Sequence, residues 1–487
     1  MKRAGLFLAA AALFAVIATA NSGGYRYGVS DQAFYIPALA LENHPELFAR
    51  DRGLLEPQMK LWVGGRALAR ATGWSGSGQP AVFLAIYGLT LGLLAASAVA
   101  LARGLGAGWW TAGSYLLLLT LRHRIAKTGA NSLEGYMHPR MLAFAAGLGA
   151  LAALTRNRWG LAAGLAFVAI GVHPTTGGWF AATLAIAAVW QHRRNRVAVF
   201  IAFGIVVAGV AAVAWGSPTR LARMDSTWLG VLAEKDYLFP AEWPLYAWVA
   251  NLAYPVVLLL IHRRRRRLNL TSPGEDALVA GAVGLTLAFL ISVPLAEARI
   301  ALVVQLQVNR IFWLLDALVA LYIAWWLVEG TTTRRAAVVV AAMALLAVGR
   351  GTYVLAFEAR RPLVQMRPAP SAWNDAMSWL GTQPTSWHVL ADPGHAWKFG
   401  SSVRVAALRD TVLESGKDSA MAMYDRNVAL RVAERTRALA DFDTMSLADL
   451  RGLDATYGLD VFVDRADRPW TLPVLYRNAE FVIYDLR

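Results

Sequence analysis

Cysteine is absent from this sequence of 487 residues, and charged residues make up only 16% of it. The absence of cysteine excludes a disulfide framework, a thiol nucleophile and a cysteine-ligated metal site. Soluble domains usually carry about 25% charged residues, so the low share of charge points to a membrane protein. A Walker loop, an H-x-x-x-H zinc helix and a G-x-S-x-G nucleophile elbow are also missing.

Among the charged residues, basic ones are in excess and give a formal net charge of +15. Such an excess could indicate a nucleic-acid partner, but the arginines cluster at the ends of apolar segments. Membrane proteins carry basic residues at such positions because their cytoplasmic loops are enriched in Lys and Arg. We therefore expect membrane lipids as partners and no nucleic acid.

Hydrophobic residues make up 57% of the chain and form apolar segments that predict about eleven transmembrane helices. The segments are 4–20, 81–102, 108–121, 139–154, 159–172, 175–190, 197–215, 246–262, 276–295, 308–328 and 335–357. Several are shorter than the ~20 residues that a perpendicular span needs, so their boundaries are approximate. The expected fold class is a mostly α polytopic membrane protein.

The basic clusters also predict an orientation. With Lys2 and Arg3 in the cytoplasm, every basic cluster at a short turn falls on the cytoplasmic side, including the run 263–267. An odd number of spans then places the N-terminus in the cytoplasm and the C-terminus outside. The alternative for the first segment is a cleaved signal peptide ending at Ala18-Thr19-Ala20, but the segment is long enough to cross and many more spans follow it.

Two domains are expected: a transmembrane domain at 1–357 and a small extracytoplasmic α/β domain at 358–487. The outer loop 21–80 belongs to the first domain and contains helical patterns at 34–43 and 54–72, the second of which suits a helix on the bilayer surface. The tail predicts strands at 387–391, 402–408, 460–463 and 480–486, and helices at 371–381 and 417–440.

Basic residues on the outer side are exceptions to the charge rule and therefore candidates for a binding site. Arg122, Arg124 and Arg140 fall in or beside the second outer loop, together with Lys127. A cationic outer cavity suits an anionic ligand, and a lipid-linked phosphate is the natural candidate. Snorkelling of these side chains to outer-leaflet headgroups is the equally supported alternative.

Two carboxylates of the first outer loop are candidates for catalysis. Asp31 follows the first span closely, and Asp51 precedes another helical pattern. Either could act as general base toward an acceptor hydroxyl, or hold a metal or the acceptor itself. The alternative for both residues is a helix cap.

Two histidines stand directly before prolines at predicted outer helix ends, His138 before Pro139 and His173 before Pro174. Proline starts a helix there, which turns the histidine toward the mouth of the outer cavity. Such a histidine could bind phosphate, accept a proton or bind metal. A hydrogen bond at the helix end is the alternative.

The segment before the tenth span carries three further polar candidates, Arg299, Gln305 and Arg310. Arg310 is the best phosphate clamp among them, because its planar fork donates two parallel hydrogen bonds to an oxyanion. Asp316 lies inside the span, where a structural ion pair is the preferred interpretation. Three charged residues are interpreted as part of a solvated outer loop: Asp225, Lys235 and Asp236.

This arrangement resembles the GT-C superfamily of integral membrane glycosyltransferases. The resemblance rests on a single N-terminal span, a long outer loop with an early acid in SDQAFY, about eleven spans and an extracytoplasmic tail. The tail, WNDAMSWLGTQPTSWHVLADP followed by FGSSVRVAALRD, looks like that of uncharacterised bacterial multispanning proteins related to the superfamily. Asp31 is followed by Gln32, where many members have a second acid, so a divalent metal is left open as a cofactor.

The resemblance implies a transferase of the bacterial inner membrane that uses a polyprenyl-phosphate-linked sugar. The acceptor would be the hydroxyl of a glycan, lipid or protein, activated by Asp31 or Asp51. Arg140 and Arg310, with His138, would hold the phosphate leaving group during one inverting displacement. The alternatives are a transporter of lipid-linked glycans, for which no internal repeat is visible, and a noncatalytic assembly subunit.

Overall fold

The structure is a computed structural model that describes residues 2–62, 64–74, 78–192, 218–330 and 333–487. The chain forms two compact units. Unit 1 consists of Met1–Tyr25, Ala85–Met224 and Lys235–Val364, and unit 2 consists of Arg26–Leu84, Asp225–Glu234 and Gln365–Arg487.

Helices dominate the described residues. They are α1 (Lys2–Asn21), α2 (Gln32–Asn43), α3 (Arg52–Leu61), α4 (Gly65–Trp74), α5 (Gly78–Gly104), α6 (Trp109–Thr120), α7 (Pro139–Leu154), α8 (Trp159–Val172), α9 (Pro174–Gln191), α10 (Ser226–Leu232), α11 (Leu245–Arg267), α12 (Pro273–Glu297), α13 (Ala301–Leu306), α14 (Ile311–Val328), α15 (Thr333–Tyr353), α16 (Ala372–Gly381), α17 (His395–Lys398), α18 (Val403–Ala406), α19 (Asp418–Ala422), α20 (Arg426–Ala438) and α21 (Leu447–Tyr457).

Strands are short and lie mostly in the tail. They are β1 (Tyr25–Arg26), β2 (Arg124–Ile125), β3 (Ala130–Asn131), β4 (Val364–Gln365), β5 (His388–Leu390), β6 (Asp410–Thr411), β7 (Val461–Arg465), β8 (Val474–Arg477) and β9 (Phe481–Asp485).

Unit 1 is a bundle of apolar helices. Within it α7, α8 and α9 pack against one another, α9 packs against α12, and α1 packs against α6 and α15. Every predicted span within the described residues falls on a helix, and the predicted span 197–215 lies outside those residues. Among the described residues, five continuous helical segments are long and apolar enough to cross a membrane: Gly78–Gly104, Leu245–Arg267, Pro273–Glu297, Ala301–Val328 and Arg335–Ala359.

Local sequence explains where several of these helices begin and end. Proline occupies the first position of α7, α9 and α12, where its missing N–H costs no hydrogen bond. Ser272 caps α12 by accepting a hydrogen bond from the Glu275 N–H. The run 264–267 ends α11, and its positive charges face the negative end of the helix dipole.

Unit 2 contains a five-stranded sheet in the order β6-β5-β7-β9-β8. β5 runs parallel to β6 and β7, whereas β9 pairs antiparallel with β7 and β8. Helix α16 packs on one face of the sheet through Trp373, Met377 and Leu380, which are buried with Val389 and Ile483. The predicted strands 387–391, 460–463 and 480–486 and the predicted helix 371–381 all lie on matching elements.

Three sequence predictions for unit 2 are wrong. The predicted strand 402–408 is the short helix α18, because this turn buries Val403 and Arg404 together. The predicted helix 417–440 is divided into α19 and α20, and Asp425 caps the second of these. The predicted surface helix 54–72 consists of α3 and α4, separated at Trp62.

The outer loop also groups differently from the predicted division at residue 357. Residues Arg26–Leu84 belong to unit 2, together with the tail and the short segment Asp225–Glu234. Within unit 2, α2 packs against α3, α4 and α18, and α10 packs against α19 and α20. The loop and the tail therefore share one folded unit.

Close packing of α8 on α9 generates a test of unit 1. A Cβ atom on Gly177 would lie 2.2 Å from the backbone nitrogen of Ile170, whereas one on Gly178 meets nothing within 4 Å. We expect Gly177→Ala to lower the free energy of unfolding by roughly 1–3 kcal/mol, because overpacking against backbone cannot be relieved by a rotamer change. Gly178→Ala is the matched control, and equal thermal unfolding temperatures of the two variants in detergent would contradict this packing.

Candidate active site

In unit 1, a buried carboxylate gathers basic residues of the loop that precedes α7. Glu134 is 3% exposed and forms an ion pair with Arg140, which is 4% exposed. Arg122 approaches the same carboxylate at 3.9 Å, and its Nε donates to the Leu133 carbonyl at 3.0 Å. Arg124, in contrast, lies exposed on β2. Of the three predicted arginines, Arg122 and Arg140 are brought together and Arg124 points outward.

His138 and His173 cap the two helices that follow them. The Nδ1 of His138 accepts from the Arg140 N–H at 3.2 Å, and the Nδ1 of His173 accepts from the Thr176 N–H at 3.3 Å. The helix-end hydrogen bond expected as the alternative is therefore present at both positions. The two rings lie 6.2 Å apart, centroid to centroid, so the caps also bring the histidines together.

Arg310 belongs to the same electrostatic group. Burial and then the neighbouring His138, Arg310 and Arg140 lower the pKa of His173 well below its usual value. His173 is therefore neutral at neutral pH, and because its Nδ1 accepts a hydrogen bond, its Nε2 carries the proton. Arg140, which is paired with Glu134, and Arg310 thus both lie close enough to His173 to act on it electrostatically.

A tight turn positions Arg310 at the start of α14. Gln307 adopts a left-handed conformation with φ of 48°, which separates α13 from the single 3-10 turn before α14. Asn309 fixes this turn, because its side-chain amide donates to the carbonyls of Lys127 at 3.0 Å and Tyr237 at 2.8 Å. Gln305 is buried on α13, one turn before these residues.

Arg299 has a different environment. Its Nη2 donates to Glu242 at 2.6 Å, and its guanidinium lies 4.2 Å from the centre of the Phe239 ring. A carboxylate within the same unit thus neutralises this side chain. The structure does not bring Arg299 to the cluster of Arg140, Arg310 and the two histidines.

The remaining charged candidates of the middle of the chain are held in pairs. Asp316 accepts from His123 Nε2 at 3.1 Å, which matches the structural ion pair expected for it. Asp225 is 40% exposed, and it also caps α10 and accepts from Arg426 at 2.6 Å. Asp236 pairs with Lys127 while remaining 59% exposed.

In unit 2, Asp31 directly precedes α2 but makes no capping hydrogen bond with its side chain. Its carboxylate instead lies 3.4 Å from the Nζ of Lys417 and is 31% exposed. Lys417 is nearly buried, and its ammonium also lies over the rings of Phe34 and Trp397, at 5.7 and 5.2 Å. Because the Asp31 carboxylate is accessible, a substrate can reach it and transfer a proton to it.

Asp51 is fully buried and lies among arginines. One carboxylate oxygen accepts from Arg404 Nε at 2.7 Å and from the Thr411 N–H at 3.1 Å, and the other accepts from Arg431. Burial raises the pKa of this carboxyl, but Arg404 and Arg431 outweigh it and lower the pKa to about 2. Asp51 is therefore ionised, and both of its carboxylate oxygens already accept hydrogen bonds.

Arg404 connects Asp51 to a second buried carboxylate. Its two terminal nitrogens donate to Asp418 at 2.5 and 3.0 Å, and Glu414 lies 3.6 Å away. Ser402 donates to Glu414 at 2.6 Å. The sequence alone did not single out Arg404, Glu414, Lys417 or Asp418. A usable signal was an arginine inside the apolar run 402–408.

Among the described residues, no group of three or more acidic or histidine side chains is placed to hold a metal ion. The apolar helices identify an integral membrane protein. The fold is similar to that of the oligosaccharyltransferase of Archaeoglobus fulgidus in its apo form, with a TM-score of 0.52 and 12% identity over 94% of this chain and 69% of that one.

A second structure of the archaeal enzyme gives the same result. In that structure an acceptor peptide containing the NVT sequon is tethered by a disulfide bond, and the TM-score is 0.50 at 12% identity, over the same shares of the two chains. No protein-family model and no curated protein matches the sequence. At this identity the likeness shows the fold, and it leaves the chemistry to be argued from the residues.

Glu414 generates a pH-dependent prediction. Burial raises its pKa from 4.5 to about 7. At a pH between these two pKa values, the Glu414 carboxyl is protonated in the folded protein and ionised in the unfolded chain. The free energy of unfolding therefore falls as the pH rises through this range, by on the order of 1 kcal/mol per pH unit. Glu414→Gln should flatten this fall in denaturant titrations between pH 5 and 7. Glu480→Gln, at an exposed position, is the control, and parallel pH profiles of all three proteins would contradict the assignment.

Proposed function

We propose that this protein is a glycosyltransferase that moves a sugar from a polyprenyl-phosphate carrier to a hydroxyl acceptor outside the cytoplasm. The observation that carries the proposal is the grouping of two arginines, Arg140 and Arg310, with two histidines, His138 and His173, in unit 1. A lipid-linked phosphate combines an anion with an apolar chain, and a membrane-embedded unit with buried cations suits both parts. The GT-C type of fold supports this choice of reaction.

The proposed reaction is a single displacement with inversion at the anomeric carbon. The acceptor oxygen forms a bond to that carbon while the bond from the carbon to the phosphate oxygen breaks. The acceptor proton passes to a carboxylate, and the electron pair leaves with the phosphate. Arg310 and Arg140 stabilise the negative charge that develops on this leaving group, which is worth most where water is excluded.

Asp31 is the better of the two candidate bases. It is partly exposed, whereas Asp51 is buried and already accepts hydrogen bonds from Arg404, Arg431 and the Thr411 N–H. We assign Asp51 a structural role for this reason. The Lys417 ammonium, 3.4 Å away, keeps the Asp31 carboxylate in place.

The orientation and the substrates are part of the same proposal. The N-terminus lies in the cytoplasm of a bacterium, about eleven spans cross its inner membrane, and unit 2 faces the outside. The acceptor is a glycan, a lipid or a protein. A peptide with an NVT sequon is included among the acceptors to be tested, because the archaeal enzyme of similar fold was captured with one.

The proposed base predicts a large effect on the chemical step. In purified protein with polyprenyl-phosphate sugars and a panel of acceptors, Asp31→Asn should lower kcat by at least about 100-fold, the low end for general base catalysis. Asp375→Asn removes an exposed carboxylate of the same unit and should leave kcat unchanged. Full turnover by Asp31→Asn would rule out the role of Asp31 without touching the donor assignment.

The proposed phosphate clamp predicts a large loss of turnover as well. Arg310→Ala should lower kcat by about 100- to 1000-fold, as removal of one donor to a developing oxyanion does elsewhere. Arg267→Ala removes an exposed arginine at the end of α11 and is the control. A transporter or an assembly subunit would release no polyprenyl phosphate from the donor, whether the protein is unaltered or a variant. The same assay, repeated after chelation and again after addition of Mg²⁺ or Mn²⁺, shows whether a divalent metal takes part.

A further inference from the structure

An apolar groove runs between α1 and α15 in unit 1, well separated in sequence from the arginines and histidines of the candidate active site. It encloses about 450 Å³, within the range of pockets that hold small ligands. Both walls consist of small or aliphatic side chains. Its lining residues include Val16, Ile17 and Ala20 on α1, and Val348, Gly351 and Ala356 on the facing segment.

The two helices that form the groove are fixed to each other. The side-chain amide of Asn21 donates to the Ala347 carbonyl at 2.9 Å, and its oxygen accepts from Arg350 at 2.7 Å. Gly351 approaches α1 so closely that a Cβ atom would lie 3.2 Å from that of Ala20. The groove is therefore a preformed feature of a packed helix pair.

Two arginines line the groove at the end of this helix. The helix changes to a π-helix over Val354–Ala359 and ends at Arg360, which has a left-handed φ of 48°. Such π segments occur often at functional sites. This ending brings Arg360 and Arg361 to the groove, where both count among its lining residues.

Both guanidinium groups keep donors for a ligand. The Nε of Arg360 donates to the Phe357 carbonyl at 3.2 Å, and the Nε of Arg361 donates to the Ala359 carbonyl at 3.1 Å. Throughout the described part of the chain, neither arginine forms an ion pair with a carboxylate and no hydrogen bond uses their terminal nitrogens. Two uncompensated, fork-shaped cations at an apolar groove match a phosphate that carries a hydrocarbon chain.

We propose that this groove binds an anionic glycerophospholipid, with one acyl chain along α1 and α15 and the phosphate between Arg360 and Arg361. The surrounding segment supports a lipid as the occupant, because Arg335–Ala359 is long and apolar enough to cross a membrane and is largely exposed on its surface. The site is independent of the sugar-transfer reaction proposed above. The lipid would act as a bound structural partner of α1 and α15.

Lipid binding can be measured on the full-length protein in detergent by native mass spectrometry after delipidation. Phosphatidylglycerol should be retained in preference to zwitterionic phosphatidylethanolamine. Arg360→Ala combined with Arg361→Ala should weaken the binding of phosphatidylglycerol at least about tenfold, because each hydrogen bond to a charged group is worth roughly one tenfold step in affinity or more. Arg367→Ala, at an exposed position outside the groove, should leave it unchanged.

The apolar part of the site has its own matched pair of variants. Ala356→Trp fills the groove and should lose phosphatidylglycerol while keeping both arginines. Val338→Trp places the same ring on the exposed face of α15, where Val338 is 67% exposed and does not line the groove, and should bind normally. Retention of lipid by Ala356→Trp or by the double arginine variant would overturn the site.

Photocrosslinking of the unaltered protein tests the same site without any variant, so it remains informative if a variant fails to fold. A photoreactive phosphatidylglycerol should crosslink to peptides that contain residues 16–20 or 347–363. Crosslinks found only elsewhere, equal retention of the two phospholipids, or displacement of phosphatidylglycerol by a polyprenyl phosphate at equal concentration would each overturn a phospholipid as the occupant.

Discussion

The buried guanidinium of Arg404 is the interaction on which unit 2 depends. It is 1% exposed and donates to Asp51 of the first outer loop and to Asp418 of the tail, with Glu414 beside it. Removing such charges from water costs free energy. When one partner of a buried ion pair is removed, the other charge stays buried without compensation, and the free energy of unfolding typically falls by about 3–5 kcal/mol. This ionic group joins the loop to the tail, together with the contacts of Arg431 with Asp51 and of Lys417 with Asp31.

The positions of the helices in the bundle could be predicted from the sequence, because they follow from the distribution of apolar and basic residues. Apolar runs bounded by arginines predicted every helix of the described spans, and His-Pro pairs predicted the starts of α7 and α9. The span 197–215 and the division into eleven crossings stay predictions. The helix α18 was mistaken for a strand, because its pattern suits a strand and only the burial of Arg404 against distant carboxylates decides otherwise.

The sequence indicated which basic residues to consider for the candidate site, but it did not indicate which carboxylates pair with them. The sequence analysis proposed Arg140 from the unusual basic residues before α7 and Arg310 from the entry to a span, and both stay predictions as site residues. Nothing local indicated that Glu134 compensates Arg140 or that Glu242 removes Arg299 from consideration. Ion pairs between segments far apart in the chain are decided by the fold, so a list of basic residues overstates the charge that a ligand can meet.

The sharing of unit 2 between the loop and the tail has a consequence for biosynthesis. Asp51 and Arg404 are separated by 353 positions, which a ribosome covers in roughly 20–70 s at 5–20 residues per second. During that interval the loop has already emerged with a carboxylate and apolar surface that the tail later helps to cover. We therefore expect the yield of folded protein to depend on a chaperone that shields the nascent loop until the tail has been synthesised.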